Sequence, residues 1–173
     1  MLRVSTRARY ALRLMLDVAR NGRDNGPVSL SSVAERTAIS RGYLEQVALS
    51  LRSASLLHGI CGRRGGYRLA VPADEITVGR IFEALIGPIS IVDCVDDPAA
   101  CPRGECCECR IVYRLINDRI VEVLQAHTLT DLMDPDWMRT YGNVIDIDGD
   151  GHERPDGFGC NPVKQKQRTE SSC

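Results

Sequence analysis

Tyr10, Ala11, Leu14, Met15 and Val18 recur at helical spacing, with mostly polar or basic positions between them. That pattern predicts a first amphipathic helix running to about Arg20, with Ser5 or Thr6 placed to cap it. The turn cluster Asn21 to Pro27 ends it. Leu30, Val33 and Ala34 carry a short second helix capped by Ser29. Thr37-Ala38-Ile39 forms a tight turn, and Ser40 is placed to cap a third helix, Arg41 to about Ala54. In that helix Leu44, Val47, Ala48 and Leu51 are spaced to face a core. The pattern then changes to short strands, Leu56 to Ile60 and Tyr67 to Val71, around the turn Gly62-Arg63-Arg64-Gly65-Gly66.

Thr77 opens a further helix with Val78, Ile81, Phe82, Leu85 and Ile86 apolar, stopped by Gly87-Pro88. A long helix from about Arg110 to Gln125 carries Ile111, Val112, Leu115, Ile116, Ile120, Val123 and Leu124. A stripe that wide can serve both its own core and a second copy. Thr128 and Asp131 form a capping pair ahead of a last turn, Leu129 to Met133. The expected fold class is mainly α with a small β-hairpin wing: a winged helix-turn-helix plus a long dimerisation helix.

The chain therefore divides into a winged helix-turn-helix (1–72), a connecting helix (73–93), a cysteine-rich loop (94–109) and a dimerisation helix (110–134). From Pro135 onward the apolar period fails, and 135–173 is expected to be mostly a disordered tail. Asp146, Asp148, Asp150 and Gly151 match the first half of a calcium-binding loop. The position that needs a bidentate glutamate is Gly157, so calcium is not expected there.

No apolar run is long enough to cross a bilayer. The N-terminal basic residues are interspersed with apolar ones rather than preceding them, which is not a secretion signal and predicts a cytoplasmic location. In that compartment the eight cysteines read as metal-binding or redox groups rather than four disulfides. The three histidines, His58, His127 and His152, are far apart in sequence, and no nucleophile–base motif appears. An enzyme is not expected.

A formal net charge of −1 conceals an asymmetry. Residues 1–70 hold twelve arginines against four acids, a formal +8 that leaves −9 for the remainder. A basic half is the footprint of a nucleic-acid binder. On the third helix Arg41, Tyr43, Glu45, Gln46 and Arg52 lie outside the core face or at its margin. Gln can bond adenine, Glu can accept from cytosine N4, and Arg can bond guanine or phosphate. The helix N-terminus adds backbone donors for a phosphate. Arg63 and Arg64 sit at the tip of the wing, where a flanking minor groove attracts arginine.

Cys94, Cys101, Cys106, Cys107 and Cys109 fall within sixteen residues. Thiolates are soft ligands that suit iron–sulfur clusters, zinc and copper(I). A four-thiolate set such as Cys94, Cys101, Cys106 and Cys109 can be made within the chain. Structural zinc and a metal-free thiol switch stand open beside a cluster. Cys160 and Cys173, in the tail, read as free thiols.

Taken together, STRARYALRLMLDVA, ISRGYLEQ, GGYRLA, ITVGRIFEAL, CVDDPAACPRGECC and TLTDLM occur in order over about residues 1–134. In these segments the chain resembles the Rrf-type (IscR/NsrR-like) winged-helix transcription regulators. The resemblance implies a homodimer on double-stranded DNA with a roughly palindromic operator. By position, Ser40, Tyr43, Glu45 and Gln46 inherit the DNA-reading role, and Arg63 and Arg64 the wing role. Some members carry Arg where this chain has Cys61, which places a thiol near the DNA.

Sensing members of this family use three cysteines that map to Cys94, Cys101 and Cys107, implying a 2Fe-2S or 4Fe-4S cluster, with Cys106 and Cys109 as alternates. In one branch a histidine supplies the fourth ligand, where this chain has Arg110. In another an acid of the first helix does so, where this chain has Arg9. The fourth ligand is then an extra cysteine, a small exogenous molecule, or absent. Other members carry no cluster and answer to a regulatory protein partner.

Overall fold

The structure, a computed structural model, describes residues 4–22, 26–103 and 106–142. The chain forms two units, Met1–Asp134 and Pro135–Cys173. The first unit begins with α1 (Thr6–Asn21), whose Ser5 N-cap hydroxyl accepts from the Ala8 amide. Ala8, Ala11, Leu14, Met15 and Val18 are its buried stripe. Then α2 (Leu30–Thr37) starts at Ser29, which accepts from the Ser32 amide. It stops at Ala38, which sits in the left-handed region at φ 57°. The turn leads into α3 (Arg41–Ser53), so the helix-turn-helix expected from the spacing is present. Ser40 is the N-cap residue of α3, yet its side chain makes no capping bond. The expected hydroxyl cap is therefore corrected, and that side chain is exposed.

The wing consists of β1 (Leu57–Ile60) and β2 (Gly66–Leu69), antiparallel and paired Leu57 with Leu69 through Ile60 with Gly66. Both strands are shorter than the sequence implies. A bridge between Val28 and Tyr67 fastens the hairpin to the chain just before α2, with amide–carbonyl bonds of 2.9 and 2.8 Å. This approach requires Gly66, because a Cβ there would lie 2.4 Å from the Val28 carbonyl oxygen.

Next comes α4 (Val78–Ile86), capped by Thr77 and ended at Gly87. Its Ile81, Phe82 and Leu85 are buried, whereas Ile86 is exposed. Leu14, Met15, Val33, Leu44, Leu51, Leu57, Ile76, Ile81 and Leu129 form one core shared by α1 to α4, β1 and the chain beyond them. Full burial of each such side chain is worth about 1.5–3 kcal/mol. Between α1 and α2, Arg36 donates twice to the Asp17 carboxylate, at 2.8 and 2.6 Å. That pairing, chiefly its hydrogen bond, holds the Arg36 pKa above its already high ordinary value.

The cysteine segment is partly helical, with α5 (Asp93–Asp96) followed by a 3-10 turn at Pro98–Ala100. The long helix α6 (Glu108–Ala126) begins two residues earlier than the apolar pattern implies, which places Cys109 in its first turn. On α6 only Asn117 is buried. Of the expected stripe, Leu124 alone packs against the core, so the stripe serves the chain's own interior only near its C-terminal end. The physical reason is that α4 meets α6 through polar side chains: Thr77 Oγ1 bonds Gln125 Oε1 at 2.7 Å, and Gln125 Nε2 donates to Glu83 at 3.2 Å. Finally α7 (Leu129–Met133) closes the unit with the expected Thr128–Asp131 capping box.

In the second unit, α8 (Pro135–Gly142) is helical where a disordered tail was expected. Pro135 has the φ suited to a first helical turn, and Asp136 pairs with Arg139 one turn on at 3.2 Å. The calcium-like loop, Cys160 and Cys173 lie outside the described residues.

Candidate functional site

Two regions carry the chemistry expected from the sequence, and the fold holds them on different elements. The first is the outer face of α3 with the wing. Leu44, Val47, Ala48 and Leu51 are buried, so the helix is locked by one face. Arg41, Glu45, Gln46 and Arg52 are thereby left exposed on the other, with Ser40 at its start. Arg41 Nε donates to Glu45 Oε1 at 2.9 Å, and its Nη1 reaches Ser31 Oγ of α2 at 3.4 Å. Tyr43 lies at the margin of this face. It is half-buried and meets Tyr10 of α1 edge-to-face, ring centroids 5.3 Å apart, so part of its surface is spent on packing. The Arg13 guanidinium lies over the Tyr10 ring, 6.0 Å from its centre.

At the wing tip Gly65 N donates to Gly62 O at 2.9 Å, and Gly62 takes φ +119°, a value that favours glycine. This tight turn projects Arg63 and Arg64 into solvent. Both line a polar cleft with Ser29, Ser32 and Arg36, next to the start of α2. Cys61 is exposed at the base of that turn.

The second region is the thiol segment. Cys94, Cys101 and Cys107 are half-buried, whereas Cys106 and Cys109 are exposed. Burial thus separates the three cysteines with the sensor-type spacing from the two that are surplus to it. As donors, these five thiols suit iron–sulfur clusters or zinc. Among the described residues, however, no three His, Cys, Asp or Glu side chains are gathered into a group that could hold a metal.

Two residues of α6 fix the chain leading into Cys94. Asn117, 6% exposed, accepts from the Ile91 amide through Oδ1 at 3.1 Å. Arg110 donates from Nε to the Cys94 carbonyl at 2.6 Å and from Nη2 to that of Val95 at 3.5 Å. These carbonyls belong to the last turn of α5, where helical partners run out and a cation is favoured. The sequence marked Arg110 only as a residue unable to ligate a metal. Neither its bond to Cys94 nor the burial of Asn117 had a sequence signal, since both depend on how α6 packs.

The opposite side of α6 is bare. Ile111, Val112, Leu115, Ile116 and Val123 are all exposed, Ile111 by 65% and Leu115 by 62%. Val112, Leu115, Ile116, Ile120, Val123 and Leu124 line a shallow cleft that is almost entirely apolar. Among the described residues, no helix is long and apolar enough to cross a membrane.

Residues 4–135 match the family model described as "Rrf2: Iron-dependent Transcriptional regulator". The chain is 38% identical over 131 residues to the HTH-type transcriptional regulator CymR of Bacillus subtilis, covering 76% of this chain and 89% of that one. It is 36% identical over 132 residues to the HTH-type transcriptional regulator IscR of Aliivibrio salmonicida, covering 76% and 77%. Among solved structures, the B. subtilis CymR, titled the global cysteine regulator, matches with a TM-score of 0.63 at 40% identity, covering 76% of this chain and 96% of that one. The T. potens IscR structure matches with a TM-score of 0.62 at 35% identity, covering 76% and 86%. The exposed polar face of α3, the basic wing and these relatives agree: the chain belongs to the Rrf2 family of DNA-binding transcriptional regulators.

Proposed function

We propose that this regulator acts as a homodimer whose operator affinity is controlled at Cys94, Cys101 and Cys107, which would hold an iron–sulfur cluster. The observation that carries this reading is the burial split among the five thiols, which sets those three apart. When bound, a cluster would supply a centre that answers to oxidation, to iron supply or to nitric oxide. Cys106 and Cys109 are the chain's own candidates for a further ligand. The bare apolar side of α6 is the dimer surface, and Ser40, Arg41, Tyr43, Glu45, Gln46, Arg52, Arg63 and Arg64 are the DNA contacts.

The coupling resides in two residues of α6. Arg110 and Asn117 attach the backbone at Cys94 and Ile91 to that helix. A change in how Cys94 is held therefore pulls on the helix that would pair two copies. In a dimer, that motion changes the separation of the two α3 helices, which must match successive major grooves.

The test is purification without oxygen, with iron and sulfide assays and visible absorption. Operator binding is then measured before and after exposure to oxygen and nitric oxide. Replacing Cys94, Cys101 and Cys107 with Ala should abolish both the colour and the response. Colourless protein that binds only zinc and keeps its DNA affinity through oxidation overturns the sensor reading. One observation favours a second reading, a cluster-free regulator controlled by a thiol switch or a protein partner: the thiols are not gathered into a metal-ready group among the described residues. In the partner-controlled case the triple Ala variant would keep its regulation.

A further inference from the structure

Arg41 is the first residue of α3, the helix end where an acid is favoured and a cation is not. Its partner Glu45 lies one turn toward the C-terminus, the less favourable order for such a pair. Both side chains are more than half exposed, and exposed ion pairs contribute little to stability. Helix stability therefore does not explain the pair.

Its donors and acceptors point elsewhere. Arg41 Nε is bound to Glu45 Oε1, and Nη1 reaches Ser31. Each of the two Nη atoms retains an N–H for a further acceptor, so the end of the guanidinium still offers a fork. On Glu45, Oε1 takes the Arg41 bond and keeps a second lone pair, and Oε2 adds its own acceptor capacity. One unit thus presents two donors beside an acceptor. In the major groove guanine shows two acceptors, O6 and N7, beside the cytosine N4 amino donor. An A·T pair offers no such row.

We propose that Arg41 and Glu45 act as a single paired reader of one G·C base pair in each operator half-site, with Ser31 of α2 as the residue that positions Arg41. This rests on the reading of α3 as the recognition helix and names what that helix selects. The pair also meets the problem of bringing a carboxylate up to phosphates, since Arg41 neutralises Glu45 before DNA arrives.

The experiment selects binding sites for the full chain from random duplex DNA, then measures affinities for single-base variants of the selected site. Replacing one G·C pair with A·T should weaken wild-type binding by about five- to 150-fold. Arg41→Ala and Glu45→Ala should each erase the preference at that same pair and at no other. The double variant should lose no more discrimination than the worse single one. Glu45→Gln should move the preference at that pair toward A·T, because Gln bonds adenine N6 and N7. Circular dichroism verifies that each variant is folded. Single variants that act at different positions, losses that simply add, or an unmoved preference in Glu45→Gln overturn the pairing. A wild type that selects no sequence instead overturns the assignment of α3 as the DNA reader.

Discussion

The guanidinium of Arg110 donates to the main-chain carbonyl of Cys94 at 2.6 Å, joining the first turn of α6 to the last turn of α5. Sixteen residues separate the two in sequence. Arg110→Ala should leave that carbonyl without its cationic donor and destabilise the fold by about 1.5 kcal/mol, the lower end for a charged hydrogen bond because the site is only half-buried. Amide exchange over residues 93–97 should quicken in the same variant, and Arg110→Lys should restore part of the loss. Denaturant titration with hydrogen-exchange mass spectrometry measures both. Unchanged exchange in that stretch would remove Arg110 from the coupling scheme.

Leu115 is exposed by 62% and contributes nothing to the core of its own chain. Leu115→Glu should therefore keep the helical circular dichroism signal while placing a charge on the proposed dimer surface. Light scattering should show a dimer for the wild type and a monomer for the variant at the same concentration. Operator affinity should fall roughly 100-fold or more, since the two half-sites would no longer be bound together. A dimeric variant would discard this face of α6 as the interface.

Asp131 accepts from the Thr128 amide and hydroxyl, both at 2.8 Å, and these bonds hold its pKa below the ordinary aspartate value. A lowered folded pKa means that the capping box stabilises the fold above the unfolded pKa. That stabilisation is lost as pH falls through the folded value, which lies below the unfolded one. Asp131→Asn should be less stable than wild type at neutral pH, and the difference should shrink toward acid. Thermal melts across roughly pH 2.5–7 read this directly. A gap that stays constant into acid would assign the loss to something other than the carboxylate.

Arg63 and Arg64 project from a turn held by Gly62 and Gly65. Replacing both with Ala should weaken binding to every DNA sequence. The slope of log affinity against log salt should become shallower by about 0.9 for each phosphate that is no longer neutralised. Titrations at several salt concentrations test this. An unaltered slope would mean the wing tip does not approach the DNA backbone.

Most of the helical framework was legible because its signals are local. Ser5, Ser29 and Thr77 each cap a helix three residues ahead of the amide they accept from, and Thr128 with Asp131 forms a box over the same span. The core face of α3 followed from spacing alone, and with it the exposed set that includes Arg41, Glu45 and Gln46. The start of α8 escapes an apolar-period reading because its signals are Pro135 at the first turn and the Asp136–Arg139 pair. Ser40 is a cap by residue type, but its hydroxyl makes no bond to the helix it begins.

The amino-acid order by itself determined the helix-turn-helix, the wing and a dense run of thiols, because each depends on neighbours within a few residues, and the basic asymmetry, because a sum of charges needs no fold. Packing alone decided which thiols are half-buried, that Asn117 is buried against Ile91, that Arg110 grips Cys94, and that α6 leaves its apolar side uncovered. The reason is physical. A cap or an apolar face forms between residues three or four apart, whereas those bonds join atoms from chain segments 16 and 26 residues apart, and they exist only once α6 lies against α5 and the chain leading into it.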